Sequence, residues 1–372
     1  MSKIATHFKL SALLCFFCAG ADSKVSAQPV ATGIDYLFST PLAYTAGFVE
    51  RAPVIDGDLS DDVWKNAGWS DAFVDIEGDR KPLPPLNTRM KMVWDKNYLF
   101  IAAELEEPDV WGKLTERDAV IYHDNDFEVF IDTENTGHQY FELEFNALNT
   151  VFDLFLAKPY RSNSGALISW DAPGLRSAVK VQGTLNRAGD KDKGWTVEIA
   201  VPFKALSIGD NVKVPKEGTM WRINFSRVQW DTDIINGKYV KKKDKAGKNL
   251  PEHNWVWSPQ GLINMHMPER WGYLYFSRKS SSAVQKNLDL PYTEKQRQYL
   301  WLVYYRQKEF FNKHKRYAPS LKDLGIDDEA LEIGGVVNQI QMEATSLQFS
   351  ATIGDKRNNS ILINEEGLVT VL

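Results

Sequence analysis

Cysteine is almost absent from this sequence of 372 residues, which contains two cysteines, Cys15 and Cys18. Residues 28–372 contain none. Disulfide bonds, thiol catalysis and cysteine-ligated metal sites are therefore excluded for that part of the chain. A chain without such cross-links depends on its hydrophobic core or on bound ions for its stability.

Long hydrophobic runs are also absent. The apolar segment from Leu10 to Gly20 is shorter than the ~20 residues of a membrane-spanning helix. Lys3 and Lys9 precede this segment, and Ala27 ends a stretch of small residues suited to cleavage. This pattern predicts a secretory signal peptide over residues 1–27 that is cleaved near Ala27. We therefore expect a secreted or periplasmic protein without a transmembrane segment.

Neither sign of charge dominates, since 44 Lys and Arg residues stand against 49 Asp and Glu residues, for a net charge of −5. This balance argues against a dedicated binder of nucleic acid or of anionic membranes, and we expect no nucleic-acid partner. The chain is 43% hydrophobic and 25% charged, which is typical of a globular protein with a substantial core. Its length suggests about two domains.

Helical periodicity is nearly absent between Tyr44 and Phe276, where short alternating segments prevail. In DFEVFID (126–132) and QYFELEFNAL (139–148), polar side chains alternate with apolar ones, as in half-buried strands. Segment 91–105 has two apolar stretches around an Asp-Lys-Asn turn, which predicts a hairpin. Many short strands separated by turns predict an all-β fold, an antiparallel β-sandwich.

The pattern changes after Arg278, where a polar segment precedes a stretch with helical periodicity at 293–318. Three short alternating runs follow, near 336–343, 346–353 and 361–371, and predict a small helix-plus-sheet domain. This domain would either dock a protein partner or cap the sandwich. The predicted organisation is a signal peptide (1–27), an N-terminal extension (28–43), the β-sandwich (44–278), a linker (279–291) and the small α+β domain (292–372).

Five segments in the β-rich region carry a resemblance to a known family: PVIDGDLSDDVW (53–64), VWDKNYLFIAAELEEPDV (93–110), DNDFEVFID (124–132), GWTVEIAVPFKAL (194–206) and WSPQGLINMHMPERWGYLYF (257–276). In this order they resemble the carbohydrate-binding modules of family 9 and their family 9-like relatives. The resemblance implies a secreted β-sandwich that binds saccharide, often at chain ends and often with structural calcium.

The resemblance also implies where the ligand binds. The acidic residue that bonds sugar hydroxyls corresponds to Glu128, and an aromatic platform corresponds to Tyr122. The polar pair on the next strand corresponds to Glu144 and Asn146, and a second platform corresponds to Met265. The sequence departs from the family pattern twice, because Glu144 replaces an arginine and Met265 replaces an aromatic residue. Methionine offers soft contact but no aromatic face to a sugar ring.

Other residues are candidates by type and position. Trp170 and Trp230 lie beside turns, where an aromatic side chain can be exposed to a ligand. Arg227 at a strand end and His266 beside Glu269 could bond sugar hydroxyls, and His266 could titrate near neutrality. Each also has a structural interpretation, since most tryptophans in a sandwich are core residues and a lone histidine is more often structural. Four tryptophans in strand segments are assigned to the core: Trp64, Trp94, Trp195 and Trp221.

Two acidic turns are candidates for calcium, which the resemblance also implies. Asp56 and Asp58 flank a glycine, and Asp132 and Glu134 flank a threonine. Clustered side-chain oxygens suit Ca²⁺, although neither segment fits an EF-hand loop. Asp-Gly and Asp-Thr are also ordinary turn formers.

Three functions compete at this point. The first is non-catalytic binding of poly- or oligosaccharide in carbohydrate catabolism. The second is a glycoside hydrolase acting on O-glycosyl bonds with an acid/base pair on the sheet face, drawn from Glu128, Glu142, Glu144, Asp153 and His266. The third is non-covalent haem binding through the Met265-His266-Met267 segment, since the sequence has no C-x-x-C-H motif.

Overall fold

The computed structural model describes residues 34–209, 212–279, 281–285, 289–326, 330–355 and 360–372. The predicted signal peptide and its cleavage point lie outside these ranges, as do residues 28–33 of the predicted N-terminal extension. Among the helices that are described, none is both long and apolar enough to cross a membrane.

The structure has two parts, and the larger one is built mainly of strands. Its described residues contain a single short α-helix, α1 (Asp62–Lys65). Its strands are β1 (Ala43–Phe48), β2 (Val74–Asp75), β3 (Thr88–Trp94), β4 (Tyr98–Glu106), β5 (Asp126–Asp132), β6 (Tyr140–Asn146), β7 (Val151–Leu156), β8 (Arg176–Gln182), β9 (Gly194–Pro202), β10 (Met220–Gln229), β11 (Thr232–Ile235), β12 (Lys238–Lys241), β13 (His253–Val256), β14 (Gly272–Ser277) and β15 (Ala283–Val284). Short 3₁₀ helices lie at Asp35–Phe38, Gly78–Arg80, Ile121–His123, Tyr160–Ser162 and Pro268–Arg270.

Most of these strands belong to one curled sheet, in the order β7-β6-β5-β10-β14-β1-β3-β4-β9-β8. In addition, β13 pairs with β10 and β2, and β15 pairs with β1, while β11 and β12 form a separate hairpin. β1 pairs in parallel with β14 over five residues but with β3 only at Gly47 and Phe48. The sheet therefore turns at β1, and its two halves face each other across one core.

That core is built by alternate residues of strands from both halves. Phe127, Val129 and Ile131 of β5 contribute to it from one half, and Ile101 and Ala103 of β4 contribute from the other. The tryptophans predicted to be core residues are all buried, namely Trp64, Trp94, Trp195 and Trp221. The predicted all-β sandwich is confirmed.

The predicted hairpin at 91–105 is also confirmed, as β3 and β4. Its turn forms because the side chain of Asp95 accepts hydrogen bonds from the backbone N–H groups of Asn97 and Tyr98, both at 2.7 Å. Aspartate commonly stabilises turns in this way.

The C-terminal unit contains the helix α2 (Tyr292–His314) and an antiparallel sheet of five described strands, together with a 3₁₀ helix at Lys322–Leu324. These strands are β16 (Ala330–Ile333), β17 (Val336–Ala344), β18 (Phe349–Asp355), β19 (Ser360–Asn364) and β20 (Val369–Val371). The predicted α+β character is confirmed, with two differences in detail. The last predicted run is two strands, divided at Glu-Glu-Gly (365–367), a segment whose composition already indicates a turn. β16, which the sequence pattern missed, precedes β17.

The helix α2 ends earlier than its periodicity predicts. Lys315 adopts a left-handed backbone conformation with a φ of 56°, and its N–H bonds to the carbonyl of Phe311, which closes the last turn. The apolar side of the helix faces the core of the C-terminal unit, since Leu300, Val303 and Tyr304 are buried there.

Polar contacts join the C-terminal unit to the sandwich. Lys158 forms an ion pair with Glu366 at 2.5 Å, and the hydroxyl of Ser162 donates to the carbonyl of Glu366 at 3.0 Å. The backbone N–H of Val369 donates to the carbonyl of Thr136 at 3.1 Å. The segment predicted as a linker contains β15, which pairs with β1 of the sandwich.

Candidate functional site

Two neighbouring strands bring several carboxyl groups to one face of the sheet. β5 and β6 are antiparallel, with Glu128 directly opposite Glu144 and Phe130 directly opposite Glu142. Directly opposed residues point to the same face. Because side chains alternate along each strand, Phe127 and Val129 point into the sandwich core while the carboxyl groups point away from it.

This outward face is covered by other parts of the chain. Apolar side chains from β7, from the 3₁₀ helix Ile121–His123 and from the segment before β14 pack over it, including Ile121, Phe152, Leu154 and Trp271. The alternation in these two strands is typical of a sheet with one face in solvent, but in the structure this polar face is buried. A polar sheet face became buried because distant segments fold over it.

The cover leaves a cavity of about 470 Å³ over β5 and β6. Its acidic lining residues are Glu128, Glu142, Glu144 and Glu252. Its aromatic and apolar lining residues are Val120, Tyr122, Phe130, Phe152, Leu154, Tyr160, Ile168, Val228 and Met265, and Asn254 and His266 complete it. Pockets of this size and mixed lining are typical of sites for small organic ligands.

The carboxyl groups at the base of the cavity are buried and close together. Glu128, Glu142 and Glu144 are 6%, 4% and 2% exposed, and Asp126 beside them is fully buried. Oxygens of Asp126, Glu128 and Glu144 lie within 4.8 Å of one another. Such crowding of like charges in a low-dielectric site is costly when all the groups are ionised.

Burial and mutual repulsion therefore favour the protonated forms. Burial raises the pKa of Glu128 to about 7. Burial, followed by the charge of Glu128, raises the pKa of Asp126 and of Glu142 well above their usual ranges. The pKa of Glu144 rises for the same two reasons, although its carboxylate accepts a hydrogen bond from the backbone N–H of Tyr122 at 3.0 Å.

Two carboxyl oxygens in this group have no hydrogen-bond partner among the described residues. They are Oδ2 of Asp126 and Oε2 of Glu142, and both are buried. The other oxygen of Asp126 accepts from the backbone N–H of Val228 at 3.2 Å. Buried polar atoms are nearly always hydrogen-bonded in folded proteins. Of these two residues, Glu142 lines the cavity, so its oxygen is available to a donor from a ligand.

Aromatic side chains lie at the edges of the cavity. Tyr122 is 39% exposed and Tyr160 is 44% exposed, so each presents part of its ring to the solvent. The ring of Tyr160 meets the ring of His266 edge-on, with centroids 4.5 Å apart. Exposed tyrosine rings offer apolar faces to the C–H groups of a ligand and a hydroxyl group for hydrogen bonding.

His266 is held in place by its neighbours. Its Nδ1 lies 2.9 Å from the hydroxyl of Tyr140. Burial, with a smaller contribution from the charge of Arg161, lowers the pKa of His266 to about 4. The imidazole is therefore neutral near pH 7, and it does not offset the acidic groups of the cavity.

Contacts behind His266 connect the cavity to the helix α2. The guanidinium of Arg161 forms two hydrogen bonds with Glu269, at 2.9 and 3.0 Å. The hydroxyl of Tyr305 on α2 donates to the same carboxylate. Arg161 follows Tyr160 directly, so this group fixes one edge of the cavity from the side of the C-terminal unit.

The structure brings five of the predicted site residues together around the cavity, namely Tyr122, Glu128, Glu144, Met265 and His266. Asn146 lies at the end of β6, and its amide does not line the cavity. Its Nδ2 donates to the carbonyl of Leu114 at 2.8 Å and to Asp124 at 3.1 Å. Its Oδ1 accepts from the backbone N–H groups of Leu148 and Thr150. Asn146 therefore organises a turn.

Three further predicted residues lie away from the cavity. Arg227 is fully buried on the opposite face of β10, where it pairs with Glu107 at 2.9 Å. Trp230 is 8% exposed, and its indole donates to the carbonyl of Tyr122 at 2.8 Å, so it supports the segment that carries Tyr122. Trp170 is half-buried and packs on Phe141 with ring centroids 5.0 Å apart.

One carboxyl group proposed for hydrolysis also lies elsewhere. Asp153 accepts from the guanidinium of Arg117 at 2.5 Å and from the backbone N–H of Ala172 at 2.6 Å. Both of its oxygens are thus occupied, outside the cavity.

The residues expected to bind calcium do not converge on a common point. Asp56 accepts from the backbone N–H of Asp58, and Asp58 pairs with Lys180 at 2.6 Å. Asp132 accepts three backbone N–H groups of its own turn, and Glu134 pairs with Lys213. Since these oxygens are used by the turns and by lysines, the residues do not fit a Ca²⁺ site, which needs several free oxygens.

The sequence pattern missed part of the cavity. Tyr160, Glu252 and Asn254 come from connecting segments and an edge strand, where no periodicity marks a ligand-facing residue. Glu142 was considered only for catalysis, although it alternates with the core residues Phe141 and Leu143 as Glu144 does. The alternation was thus a usable signal for Glu142 but not for the others.

Comparison with known proteins gives a consistent result. The family described as carbohydrate family 9 binding domain-like matches residues 55–272. A family 9 carbohydrate-binding module from Caldicellulosiruptor kristjanssonii, solved with cellotriose, is 17% identical, with 67% of this chain and 98% of that chain covered and a TM-score of 0.40. The same organism's module with glucose is 16% identical, with coverage of 67% and 100% and a TM-score of 0.40.

A protein from Bacteroides uniformis described as carbohydrate-binding is 14% identical, with 64% of this chain and 100% of that chain covered and a TM-score of 0.47. No curated protein matches the chain.

Proposed function

Because this chain belongs to the carbohydrate family 9 binding domain-like family, we propose that it binds a saccharide in the cavity over β5 and β6 and does not cleave it. The observation that carries the proposal is the composition of this one cavity. It combines exposed tyrosine rings with buried carboxyl groups in a volume of about 470 Å³.

Sugars present apolar C–H faces and a rim of hydroxyl groups. Tyr122 and Tyr160 at the edges offer surfaces for the apolar faces. Glu128, Glu142 and Glu144 at the base can accept hydrogen bonds from hydroxyl groups, and in their protonated forms they can also donate. The cavity thus supplies both kinds of contact that a sugar needs.

Binding without hydrolysis is supported by the similarity of the carboxyl groups. A glycoside hydrolase needs a proton donor beside an ionised partner, in environments that move their pKa values apart. Burial instead raises all three pKa values, that of Glu128 to about 7 and those of Glu142 and Glu144 well above their usual range. None of the described lining residues is a lysine or arginine that would hold one of these carboxyl groups ionised beside a protonated partner.

We propose that the protein acts outside the cytoplasm, in the capture of poly- or oligosaccharide for carbohydrate catabolism. The support is the basic and apolar pattern of residues 1–27. Determination of the N-terminal sequence of protein recovered from its host tests this directly, since cleavage near Ala27 would leave Gln28 as the first residue. An intact N-terminus at Met1 would contradict the proposal.

The test of binding is native affinity electrophoresis of the protein from residue 28 onward, in gels that contain neutral, acidic or amine-bearing polysaccharides. We expect retardation in one type of gel, with the glycan recovered at unchanged length. Glu332→Gln, which changes an exposed residue of the C-terminal sheet, serves as a control that should migrate like the wild type.

Other outcomes favour the competing functions. Shortening of the glycan would favour a hydrolase. A Soret band in the purified protein would favour haem bound near Met265 and His266. No retardation in any gel, together with no stabilisation by oligosaccharides in thermal unfolding, would contradict saccharide binding.

A further inference from the structure

We propose that the ligand of this cavity is a cationic saccharide, an amino sugar whose ammonium group is bound between Glu128, Glu142 and Glu144. This inference rests on the proposed saccharide binding and names the substrate class. It follows from the charges that line the cavity, from an unpartnered oxygen at its base and from its apolar walls.

The charges of the lining residues are of one sign. Four lining residues are glutamates, and none of the described lining residues is a lysine or an arginine. His266 lies in the same cavity but is neutral near pH 7. With a neutral sugar the carboxyl groups stay largely protonated, whereas a ligand that brings a positive charge would let them ionise and form charge-assisted hydrogen bonds.

The nearest cationic side chains are committed to other partners. Arg161 is bound through two hydrogen bonds to Glu269, behind the edge of the cavity. The ammonium of Lys241 lies over the ring of Trp230, 3.2 Å from its centre. Neither residue lines the cavity. The charge of Lys241 acts on Glu252 and Asp126 from outside the cavity. No lysine or arginine is among the described lining residues, so a counter-charge inside the cavity would come with the ligand.

An unpartnered oxygen in the cavity shows which kind of group would complete the site. Oε2 of Glu142, a lining residue, is a buried acceptor without a donor among the described residues. An ammonium group carries three donors and a positive charge, so it can satisfy several carboxylates at once. Hydrogen bonds between charged groups are also stronger than those to neutral hydroxyls.

The cavity is more suitable for an organic cation than for a metal ion. Oxygens of Asp126, Glu128 and Glu144 are close enough to share an ion. A bare ion, however, would leave the rest of the 470 Å³ empty, including the walls formed by Phe130, Phe152 and Leu154. Apolar walls and exposed tyrosine rings match the C–H faces of a sugar ring, and the carboxyl groups at the base match its ammonium.

The test compares sugars that carry an amine with sugars that carry a hydroxyl group at the same ring position. Isothermal titration calorimetry of the protein from residue 28 onward compares glucosamine with glucose, galactosamine with galactose, and the glucosamine tetramer with cellotetraose, at a pH where the amines are protonated. In at least one pair we expect the amine to bind about tenfold tighter or more, as is usual for a charge-assisted hydrogen bond in a buried site. Titration with CaCl₂ and MgCl₂ alone measures the affinity for metal ions.

Variants then locate the effect. Glu142→Gln keeps the shape of the side chain but removes its charge, and it should abolish the preference for the amine. If Glu142→Gln fails to fold, Glu252→Gln at the edge of the cavity should reduce the preference instead. Glu332→Gln in the C-terminal sheet is the matched control and should keep the wild-type preference.

The outcomes separate this inference from the proposed function. Equal or tighter binding of the neutral sugars would overturn the inference but support saccharide binding. A preference for the amine that persists in Glu142→Gln and Glu252→Gln would also overturn it. Binding of Ca²⁺ or Mg²⁺ that is lost in Glu128→Gln, without any amine preference, would overturn it in favour of a metal site formed by Asp126, Glu128 and Glu144. No binding of any sugar would contradict both.

Discussion

Glu294 at the start of α2 lies 2.6 Å from the guanidinium of Arg222 on β10, and both side chains are buried. The same carboxylate accepts from the hydroxyl of Tyr273 at 3.0 Å and pairs with Arg297 at 3.2 Å. Despite burial, these cations keep the pKa of Glu294 below its usual range. An ionised carboxylate at the interface thus joins the C-terminal unit to the sandwich.

The first prediction concerns this interface. Glu294→Ala leaves Arg222 buried without its partner, which typically costs about 3–5 kcal/mol of stability. Urea denaturation should therefore show a large fall in the unfolding midpoint. Asp62→Asn removes an ion pair on the surface, and because the solvent screens such a pair, this variant should keep the unfolding midpoint of the wild type. Similar midpoints for the wild type and Glu294→Ala would refute the structural role of this contact.

The second prediction concerns pH. Burial raises the pKa of Glu128 from 4.5 to about 7, so the folded protein holds a proton that the unfolded chain has released. Stability must then fall as the pH rises across this window, and it becomes constant above it. Glu128→Gln does not titrate at this position. We expect the wild type to lose stability relative to Glu128→Gln between about pH 4.5 and about pH 7.

Urea denaturation of both proteins at several pH values measures this difference. The matched control is Glu332→Gln, whose exposed side chain should leave the pH profile unchanged. A constant difference between the wild type and Glu128→Gln across the window would show that the carboxyl of Glu128 is not perturbed in the folded state.

The third prediction separates folding from binding on the same strand. Asn146→Ala removes hydrogen bonds to the carbonyl of Leu114 and to two backbone N–H groups, and should cost about 1–3 kcal/mol of stability. The ligand affinity of the folded fraction should stay unchanged, because the amide does not line the cavity. Glu142→Gln should have the opposite pattern, with weaker binding and no loss of stability. Weaker binding in folded Asn146→Ala would place this residue in the site after all.

The fourth prediction concerns the aromatic edge. Tyr122→Ala should lower the affinity for the saccharide by about twofold to tenfold, since aromatic contacts contribute about 0.5–1.5 kcal/mol beyond burial. Calorimetry on the ligand that affinity electrophoresis identifies provides the measurement. Leu347→Ala changes a residue 72% exposed in the C-terminal unit and serves as control. Full affinity in Tyr122→Ala would exclude Tyr122 from the ligand contacts.

Local patterns in the sequence were sufficient to predict the strands and the face of the sheet to which each side chain points. Alternation in β5 and β6 correctly separated the core residues, such as Phe127 and Leu143, from Glu128 and Glu144. It could not predict that the polar face is buried, because the cover comes from segments far away along the chain. The position of Tyr160 over this face depends on the contact of its neighbour Arg161 with Glu269, more than 100 residues further on.

Alternation also fails at the ends of strands. Asn146 has the same parity as Glu144, but it is the last residue of β6, and its amide turns to bond the following loop. Arg227 was predicted to contact the ligand from its residue type and its position at a strand end. Its parity on β10 differs from that of Val228, which lines the cavity, so a stricter use of the same rule would have placed Arg227 on the other face.

The parallel pairing of β1 with β14 has a consequence for the order of folding. Residues Ala43 to Gly47 bond to residues Tyr273 to Ser277, so the first strand of the sandwich finds its partner only after the last one has emerged. Contacts between such distant residues are slow to form, because a long loop must close first. A chain delivered from its N-terminus would therefore keep most of its first strand unpaired, apart from Gly47 and Phe48 beside β3, until nearly the whole sandwich is available. Closure of the two halves would then be a late step.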